Sequence, residues 1–196
     1  MKILLLTPDN LSEIITTTIQ TLKEGGVIVA PTDTVYGMLA DATNELAIKK
    51  LYKIKDRSED KALPIFVRDI TMAQELAIIS QEQQSYLEKN WPGKVTTILE
   101  RKDGIKIFGV ENKTIALRIP SYPFINLLLE KINLPLSGTS ANISGEPSST
   151  KIDEILKQFE NKEIHPDLII NAGDLEESQP STIVDLTEAD FKIVRP

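Results

Sequence analysis

The sequence predicts a layered α/β protein of the mixed α+β type. Short apolar runs rich in β-branched residues alternate along the chain with segments whose apolar residues recur at helical spacing. Interleaved strands and helices of this kind are typical of layered α/β folds. A short strand at 95–99 and a charged, Gly-containing hairpin or loop at 101–113 indicate that some strand pairs are antiparallel. We find no repeat and no linker, so a single domain spanning residues 1–196 is expected.

The elements follow in order from these patterns. Asn10 is predicted to cap a first helix, with Glu13 completing a capping box and Gly25-Gly26 ending the helix. Asn44 is predicted to cap a second helix, and Pro123 lies in the first turn of another. Strands are predicted at 2–6, 27–31, 63–67, 95–99, 114–120, 134–136, 168–170, 180–185 and 191–196, and later helices at 70–89, 122–132 and 151–160.

Composition excludes several functional classes. The chain has 22 basic and 29 acidic residues and a net charge of −7, so broad affinity for nucleic acid is not expected. It has no cysteine, which excludes disulfide and thiolate chemistry, and its one histidine, His165, cannot form a histidine-rich metal site. The apolar run at 2–6 is too short for a signal peptide or a membrane span, so a cytoplasmic protein is expected.

The most informative stretch follows the strand at 27–31. Thr32, Asp33, Thr34, Tyr36 and Gly37 bring two hydroxyls, a carboxylate and a phenol within six residues of the strand's end. Open α/β sheets bind ligands in crevices at strand ends, so this cluster is a candidate site. The alternative is an ordinary turn whose polar side chains satisfy their own backbone.

Two further segments carry polar groups of the same character. Residues 53–61 follow the second helix, and in an extended loop Lys55, Arg57 and Lys61 would point toward one anion, although a solvated helix end is the alternative. Residues 137–145 follow a short apolar run with small hydroxyls, an amide and two glycines, which allow close approach of a ligand. A plain Ser/Gly loop is the alternative there.

Isolated cations at Lys55 with Arg57, at Arg118 and at Arg195 end or follow separate apolar segments. If the fold brings them together, they form a positive, hydroxyl-lined pocket in an acidic protein. Such a pocket suits a polyphosphate or a ligand that carries a carboxylate.

Six motifs stand out along the chain. They are Pro31-Thr32-Asp33-Thr34-Val35-Tyr36-Gly37, Lys55-x-Arg57, Trp91-Pro92-Gly93, Ala116-Leu117-Arg118-Ile119-Pro120, Ser140-Ala141-Asn142-Ile143-Ser144-Gly145 and Ser181-Thr182-Ile183-Val184-Asp185. Together they resemble the motifs of the YrdC family, the threonylcarbamoyl-AMP synthases. The motifs occur in family order and cover nearly the whole chain. The resemblance implies a twisted mixed sheet with helices on both faces and a large positively charged cavity.

The resemblance also implies an activity: L-threonine, bicarbonate and ATP with Mg²⁺ give threonylcarbamoyl-adenylate and pyrophosphate. Transfer proteins would then use the product to modify tRNA beside the anticodon, and any direct binding of tRNA is expected to be weak. The implied ATP-site residues are Lys55, Arg57, Lys61, Thr114, Ser140, Asn142, Ser148 and Arg195, with Lys55 and Arg57 catalytic. The implied threonine-site residues are Thr32, Thr34, Tyr36, Arg118, Gly138 and Ser181. No protein-held metal site is implied, because Mg²⁺ would be held through the phosphates.

The chain departs from the family pattern between 58 and 66. Ser58 follows Arg57 where many members have proline, and Phe66 stands where some longer members place a histidine that contacts threonine. The chain also lacks the linker and second domain of longer members, so it resembles the short form. Two alternatives therefore stay open: an RNA-binding or ribosome-maturation module with the same fold, and a paralogue that uses another acceptor.

Overall fold

The computed structural model describes residues 1–188 and 190–196. In these ranges the strands are β1 Lys2–Leu5, β2 Ile28–Ala30, β3 Gly37–Asp41, β4 Ile65–Phe66, β5 Ala77–Ile78, β6 Val95–Arg101, β7 Thr114–Arg118, β8 Leu136–Ser140, β9 Leu168–Asn171, β10 Thr182–Asp185 and β11 Lys192–Arg195. The helices are α1 Leu11–Lys23, α2 Glu45–Lys55, α3 Ile70–Leu76, α4 Gln81–Asn90, α5 Pro123–Ile132 and α6 Ile152–Phe159, with a 3₁₀ turn at Pro8–Asn10.

All of these strands belong to one sheet, in the order β1-β9-β2-β3-β8-β4-β7-β6-β10-β11, with β5 pairing on β6. The pairs β1–β9, β9–β2, β4–β7 and β6–β10 are parallel. The pairs β2–β3, β3–β8, β8–β4, β7–β6, β5–β6 and β10–β11 are antiparallel. The prediction of a mixed sheet is confirmed, and no helix in the described ranges is long and apolar enough to cross a membrane.

The half of the sheet around β2 is covered by helices on both faces. Val29 and neighbouring strand residues pack against α2 and α6, whereas Ile28 and Ala30 pack on the opposite face against α1 and α5. Successive residues of a strand point to opposite faces. A strand that is apolar at every position is therefore buried on both sides.

The half of the sheet around β6 and β7 has one apolar face. Ile115 and Leu117 of β7 and Leu99 of β6 join a second core with α3 and α4. The intervening residues point to the other face. In the strand register Gly138 pairs with Leu39, and Arg118 pairs with Phe66. Paired residues point to the same face of a sheet, so the face that carries Arg118 is the same face on which α1 and α5 pack.

Of the predicted N-terminal caps of α1 and α2, one is confirmed and one is wrong. The Asn44 side chain accepts hydrogen bonds from the backbone nitrogens of Leu46 and Ala47, which confirms the cap of α2. The capping box predicted at the start of α1 is wrong, because the Asn10 side chain accepts instead from the Thr7 backbone nitrogen at 2.9 Å. This contact closes the 3₁₀ turn that precedes the helix.

Candidate functional site

A cavity of about 480 Å³ lies on the open face of β6, β7, β8 and β10. This volume is within the range of roughly 300–1,000 Å³ that small-molecule sites occupy. Its polar and charged lining residues come from separate parts of the chain: Thr32, Thr34, Arg57, Thr96, Arg118, Thr139, Ser140, Asn142, Glu146, Ser148, Ser181 and Arg195. Its remaining lining residues are Val35, Gly37, Ala62, Pro64, Phe66, Ile98, Ala116, Gly138, Pro180 and Ile183.

Strand alternation determines which side chains reach the cavity. Ala116 and Arg118 of β7 line it, whereas Ile115 and Leu117 between them are buried in the core on the other face. The apolar face of β7 anchors the strand in the core, and the opposite face directs the guanidinium of Arg118 toward the cavity.

Arg118 is a buried cation held at several points. Its side chain is 4% exposed, and Nη2 lies 2.6 Å from Oδ1 of Asp33. Nε donates to the Gly93 carbonyl at 2.9 Å, and Nη1 lies 3.5 Å from Oγ1 of Thr34. The guanidinium carbon is 5.7 Å from the centre of the Phe66 ring, within reach of a cation–π interaction. Burial lowers the pKa of Arg118, and the Asp33 carboxylate opposes this shift.

Arg195 and Ser181 form a second polar group on the cavity wall. Nη2 of Arg195 donates to the Ser181 carbonyl at 2.6 Å and lies 3.3 Å from its hydroxyl. The Ser181 hydroxyl is also 2.9 Å from Oγ1 of Thr96, which is buried. Burial lowers the pKa of Arg195. The last strand thus brings a guanidinium beside a pair of hydroxyls that line the same cavity.

Arg57 lies on the other side of the cavity, after the end of α2. Nη2 donates to the Ala62 carbonyl at 3.0 Å, which orients the half-buried side chain. The prediction that Lys55 and Arg57 lie in one extended segment is wrong. Lys55 is the last residue of α2, and Asp56 adopts a left-handed conformation with φ of 50°. The chain therefore turns sharply between the two cations, and they point to different places.

Lys55 lies beneath the cavity and is absent from its lining. The side chain is 2% exposed, and Nζ donates to the carbonyls of Ser140 and Asn142 at 2.5 and 2.8 Å and to Oδ1 of Asn142 at 3.2 Å. These contacts engage all three donors of an ammonium group. Burial, and to a smaller extent Arg57, lower the pKa of Lys55 to about 7. Lys55 therefore supports the 140–142 loop from behind.

The loop after β8 presents its polar groups in a fixed arrangement. The Ser140 hydroxyl donates to Oδ1 of Asn142 at 2.5 Å, and Nδ2 of Asn142 donates to the carbonyls of Ile143 and Glu146 at 2.9 and 2.6 Å. At Gly138, an added Cβ would lie 2.4 Å from the Phe66 ring. Glycine at this position allows Phe66 and Arg118 to stay close to β8.

The structure brings most of the predicted site residues to the cavity. Ten of them line it: Thr32, Thr34, Arg57, Arg118, Gly138, Ser140, Asn142, Ser148, Ser181 and Arg195. The two threonines are linked to each other, with their hydroxyls 3.0 Å apart, and Thr32 also donates to the Val35 carbonyl at 2.6 Å.

Three other predicted residues lie elsewhere. Tyr36 is fully buried in the core with α2 and α6, where its hydroxyl donates to the Gly173 carbonyl at 2.6 Å; burial raises the pKa of this phenol to about 12. Lys61 has an exposed side chain. Thr114 shares the face of β7 that carries Ala116 and Arg118 but lies beyond the cavity lining.

Sequence reasoning missed Thr96 and Glu146, which also line the cavity. The alternation of β6 could have indicated Thr96, since Ile98 on the same face also lines the cavity and Leu99 lies in the core. No short-range signal distinguishes Glu146 from other loop acids. In the described ranges no group of three or more Asp, Glu, His or Cys side chains could hold a metal ion.

The fold and cavity define a mixed α/β protein with a site of the size of a small-molecule pocket, lined by three guanidinium groups, one carboxylate and several hydroxyls. The Sua5/YciO/YrdC family model, described as "Telomere recombination", matches residues 20–196. The chain therefore belongs to this family, as its motifs indicated.

Named relatives agree with this membership. The chain is 38% identical over 167 residues to a putative threonylcarbamoyl-AMP synthase of Methanocaldococcus jannaschii, covering 85% of this chain and 77% of that protein. It is 32% identical over 177 residues to the threonylcarbamoyl-AMP synthase of Pyrococcus abyssi, covering 89% of this chain and 51% of that protein. The chain thus spans about half the length of the P. abyssi relative.

Solved structures show the same fold. The structure of P. abyssi Sua5 complexed with L-threonine matches with a TM-score of 0.88 and 30% identity, covering all of this chain and 56% of that one. The structure of E. coli YciO matches with a TM-score of 0.87 and 27% identity, covering all of this chain and 95% of that one.

Proposed function

We propose that this protein is an L-threonylcarbamoyladenylate synthase. It converts L-threonine, bicarbonate and ATP into threonylcarbamoyl-AMP, pyrophosphate and water, the first step of threonylcarbamoyl-adenosine formation in tRNA. The names of the M. jannaschii and P. abyssi relatives and the L-threonine complex of P. abyssi Sua5 support this proposal.

One observation of this chain carries the proposal. Three guanidinium groups, from Arg57, Arg118 and Arg195, reach a single cavity from three distant parts of the sequence. The whole protein is acidic, with a net charge of −7, so this local concentration of cations opposes the global charge. A site with several separate guanidinium groups suits a ligand pair that carries both phosphates and a carboxylate.

The proposed chemistry needs no covalent enzyme intermediate. Bicarbonate takes up a proton and loses water to give CO₂. The threonine amine then forms a bond to the CO₂ carbon and loses a proton, which gives a carbamate. A carbamate oxygen then attacks the α-phosphorus of ATP, the bond between the α-phosphorus and the bridging oxygen breaks, and pyrophosphate leaves. The protein's contribution is to orient the two substrates and to stabilise the charge that develops on the phosphates.

In this proposal the phosphates of the nucleotide lie between Arg57 on one side of the cavity and Arg195 on the other, beside the 140–148 loop. Arg57 and Arg195 stabilise the phosphates, and Ser140, Asn142 and Ser148 hydrogen-bond phosphate or ribose oxygens. ATP enters as its Mg²⁺ complex, with the metal held mainly by phosphate oxygens, as is usual for nucleotide substrates. Thr114 and Lys61, which lie outside the lining, would contact only the outer part of the nucleotide.

The amino acid would lie in the part of the cavity beside Arg118 and Ser181. Arg118 pairs with the threonine carboxylate, because a guanidinium matches the planar geometry of a carboxylate. The hydroxyls of Thr32, Thr34 and Ser181 orient the amine and the side chain, and Gly138 leaves room beside them. Tyr36 contributes only from behind the site, since its hydroxyl is bonded to Gly173.

Further participants belong to the same proposal. Threonylcarbamoyl-AMP is a reactive mixed anhydride, so a transfer protein must accept it and deliver the threonylcarbamoyl group to tRNA, with release of AMP. We place the reaction in the cytoplasm, with tRNA bound weakly at most by this chain.

The decisive assay is pyrophosphate release from ATP with and without L-threonine and bicarbonate. We expect release only when both are present. A pocket that hydrogen-bonds the substrate hydroxyl should discriminate against valine, which lacks it, by a factor on the order of a hundred or more. Serine, which lacks the methyl group, is expected to lose about tenfold. Release that does not depend on threonine would refute the proposal. RNA binding with steep salt dependence and no turnover would favour the RNA-binding alternative instead.

A further inference from the structure

Asp33 is a buried carboxylate that no step of the proposed reaction uses. It lies between β2 and β3 with 8% of its side chain exposed. Oδ1 accepts a hydrogen bond from Nη2 of Arg118 at 2.6 Å, and Oδ2 accepts one from the backbone nitrogen of Ser121 at 3.0 Å. Both oxygens are thus occupied by hydrogen bonds within the protein, so the role of the carboxylate is to position the groups that it binds.

The contacts of Asp33 determine how Arg118 is oriented. Asp33 holds Nη2, and the Gly93 carbonyl holds Nε at 2.9 Å. Within the part of the chain that the structure describes, Nη1 makes a long contact to Oγ1 of Thr34, at 3.5 Å. Because the guanidinium is planar and its donors are fixed relative to one another, anchoring two nitrogens also fixes the direction of the third.

The second anchor is itself held in place. The Gly93 backbone nitrogen donates to the Ile119 carbonyl at 2.9 Å, which ties this loop to the residue after Arg118. A Cβ at Gly93 would lie 2.6 Å from the Asn90 carbonyl oxygen. A larger residue would therefore displace the carbonyl that holds Nε.

We propose that Asp33 is a positioning residue that, together with the Gly93 carbonyl, aims Nη1 of Arg118 at the carboxylate of the amino-acid substrate. This inference rests on the proposed function and adds a residue to it. The pairing also compensates a guanidinium that would otherwise be buried without a counter-charge. In the complex, the substrate carboxylate would bind to an already oriented donor rather than to a mobile cation.

The test is the variant Asp33→Asn, which keeps the shape of the side chain. The amide places an NH₂ group where one of the two oxygens accepts, so either Arg118 or the Ser121 nitrogen faces a donor. We expect the KM for L-threonine to rise about tenfold or more, with the KM for ATP changed less than about twofold. Calorimetric binding of L-threonine, with a non-hydrolysable ATP analogue present, should weaken by the same factor.

Asp41→Asn is the matched control. Asp41 is a buried acidic residue, and its Oδ1 accepts from the backbone and hydroxyl of Thr43, away from Arg118. This variant should leave both KM values unchanged. If Asp33→Asn does not fold, Asp33→Glu keeps the charge but displaces the oxygens, and the same selective rise is expected.

A double-mutant cycle tests whether Asp33 acts through Arg118. In an Arg118→Lys background, the further change Asp33→Asn should have little additional effect on threonine affinity. An unchanged or lower KM for threonine, equal losses of threonine and ATP affinity, or additive effects in the cycle would overturn the inference. A wild-type protein that binds threonine but releases no pyrophosphate would refute the proposed function, while the calorimetric test of Asp33 would still decide this inference.

Discussion

The two halves of the sheet use the same strand geometry for different purposes. Around β2, both faces are apolar and both are covered by helices, so Ile28 and Val29 are fully buried on opposite sides. Around β7, one face packs against α3 and α4, and the other carries Arg118 and borders the cavity. The two halves differ in the residues on one face of the strands: they are apolar and covered by helices around β2, whereas they border the cavity around β7.

This contrast explains how the fold can be stable and still hold a cavity that is lined by three guanidinium groups. The half around β2 supplies hydrophobic burial on two faces, whereas the half around β7 gives up burial on one face to a solvent-accessible cavity. The cations of that face are then held by carbonyls and carboxylates, as with Arg118 on Asp33 and Gly93. If this division is correct, substitutions in the two halves of the sheet should differ in the size and kind of their effects.

The largest expected effect on stability is at Ile28. Ile28→Ala removes side-chain atoms that are fully buried in the core with α1 and α5, and should lower the free energy of unfolding by about 2–5 kcal/mol. Ile98→Ala, on the partly exposed cavity face of β6, should lower it by roughly 1 kcal/mol or less. Urea unfolding measures both. Equal losses would mean that the two halves do not differ in the way described.

Arg57→Ala should have the largest effect on catalysis. If the guanidinium stabilises charge on the phosphates, its removal should cost about 2–4 kcal/mol of transition-state stabilisation. Steady-state pyrophosphate release measures this loss, and the melting temperature should change little because Arg57 is only half buried. Lys53→Ala, which removes an exposed cation from the last turn of α2, close in sequence to Arg57, is the matched control and should behave as wild type.

Gly138→Ala should damage the site through packing. The new Cβ would lie 2.4 Å from the Phe66 ring, and such overpacking typically costs about 1–3 kcal/mol of stability. Because Phe66 contacts Arg118, the KM for threonine should also rise. The double variant Gly138→Ala/Phe66→Leu should recover part of the stability. A single variant as stable and active as wild type would show that Phe66 moves freely.

The smallest effect is the pH dependence that Lys55 contributes. Its folded-state pKa of about 7 lies below the ordinary value of 10.5, so between these values the unfolded chain binds more protons at this residue than the folded one does. The stability contributed by this residue should therefore rise with pH across that window and be flat below it. The free energy of unfolding of wild type relative to that of Lys55→Met should therefore be larger at about pH 9 than at about pH 6. A difference that does not change with pH would contradict the lowered pKa.

Sequence patterns predicted the architecture because they depend on periodicity and on local caps. The interleaved strands and helices, the mixed sheet and the Asn44 cap all follow from residues close in sequence. The Asn10 capping box failed because two local partners compete for one side chain, and the structure selects Thr7.

The site was predictable only in part, since it depends on contacts between distant segments. Tyr36 belongs to the same motif as Thr34, yet it points to the opposite side, toward Gly173, which is 137 residues away. Lys55 was expected beside Arg57, but the left-handed turn at Asp56 separates them. The partner of Arg118 could not be deduced either, because Asp33 and Arg118 are 85 residues apart.

A crystal structure with L-threonine and a non-hydrolysable ATP analogue tests the central claim most directly. The account predicts that both ligands occupy the one cavity together, with the amino-acid carboxylate at hydrogen-bond distance from Arg118 and the phosphates between Arg57 and Arg195. It would be contradicted if either ligand bound elsewhere, or if the two excluded one another.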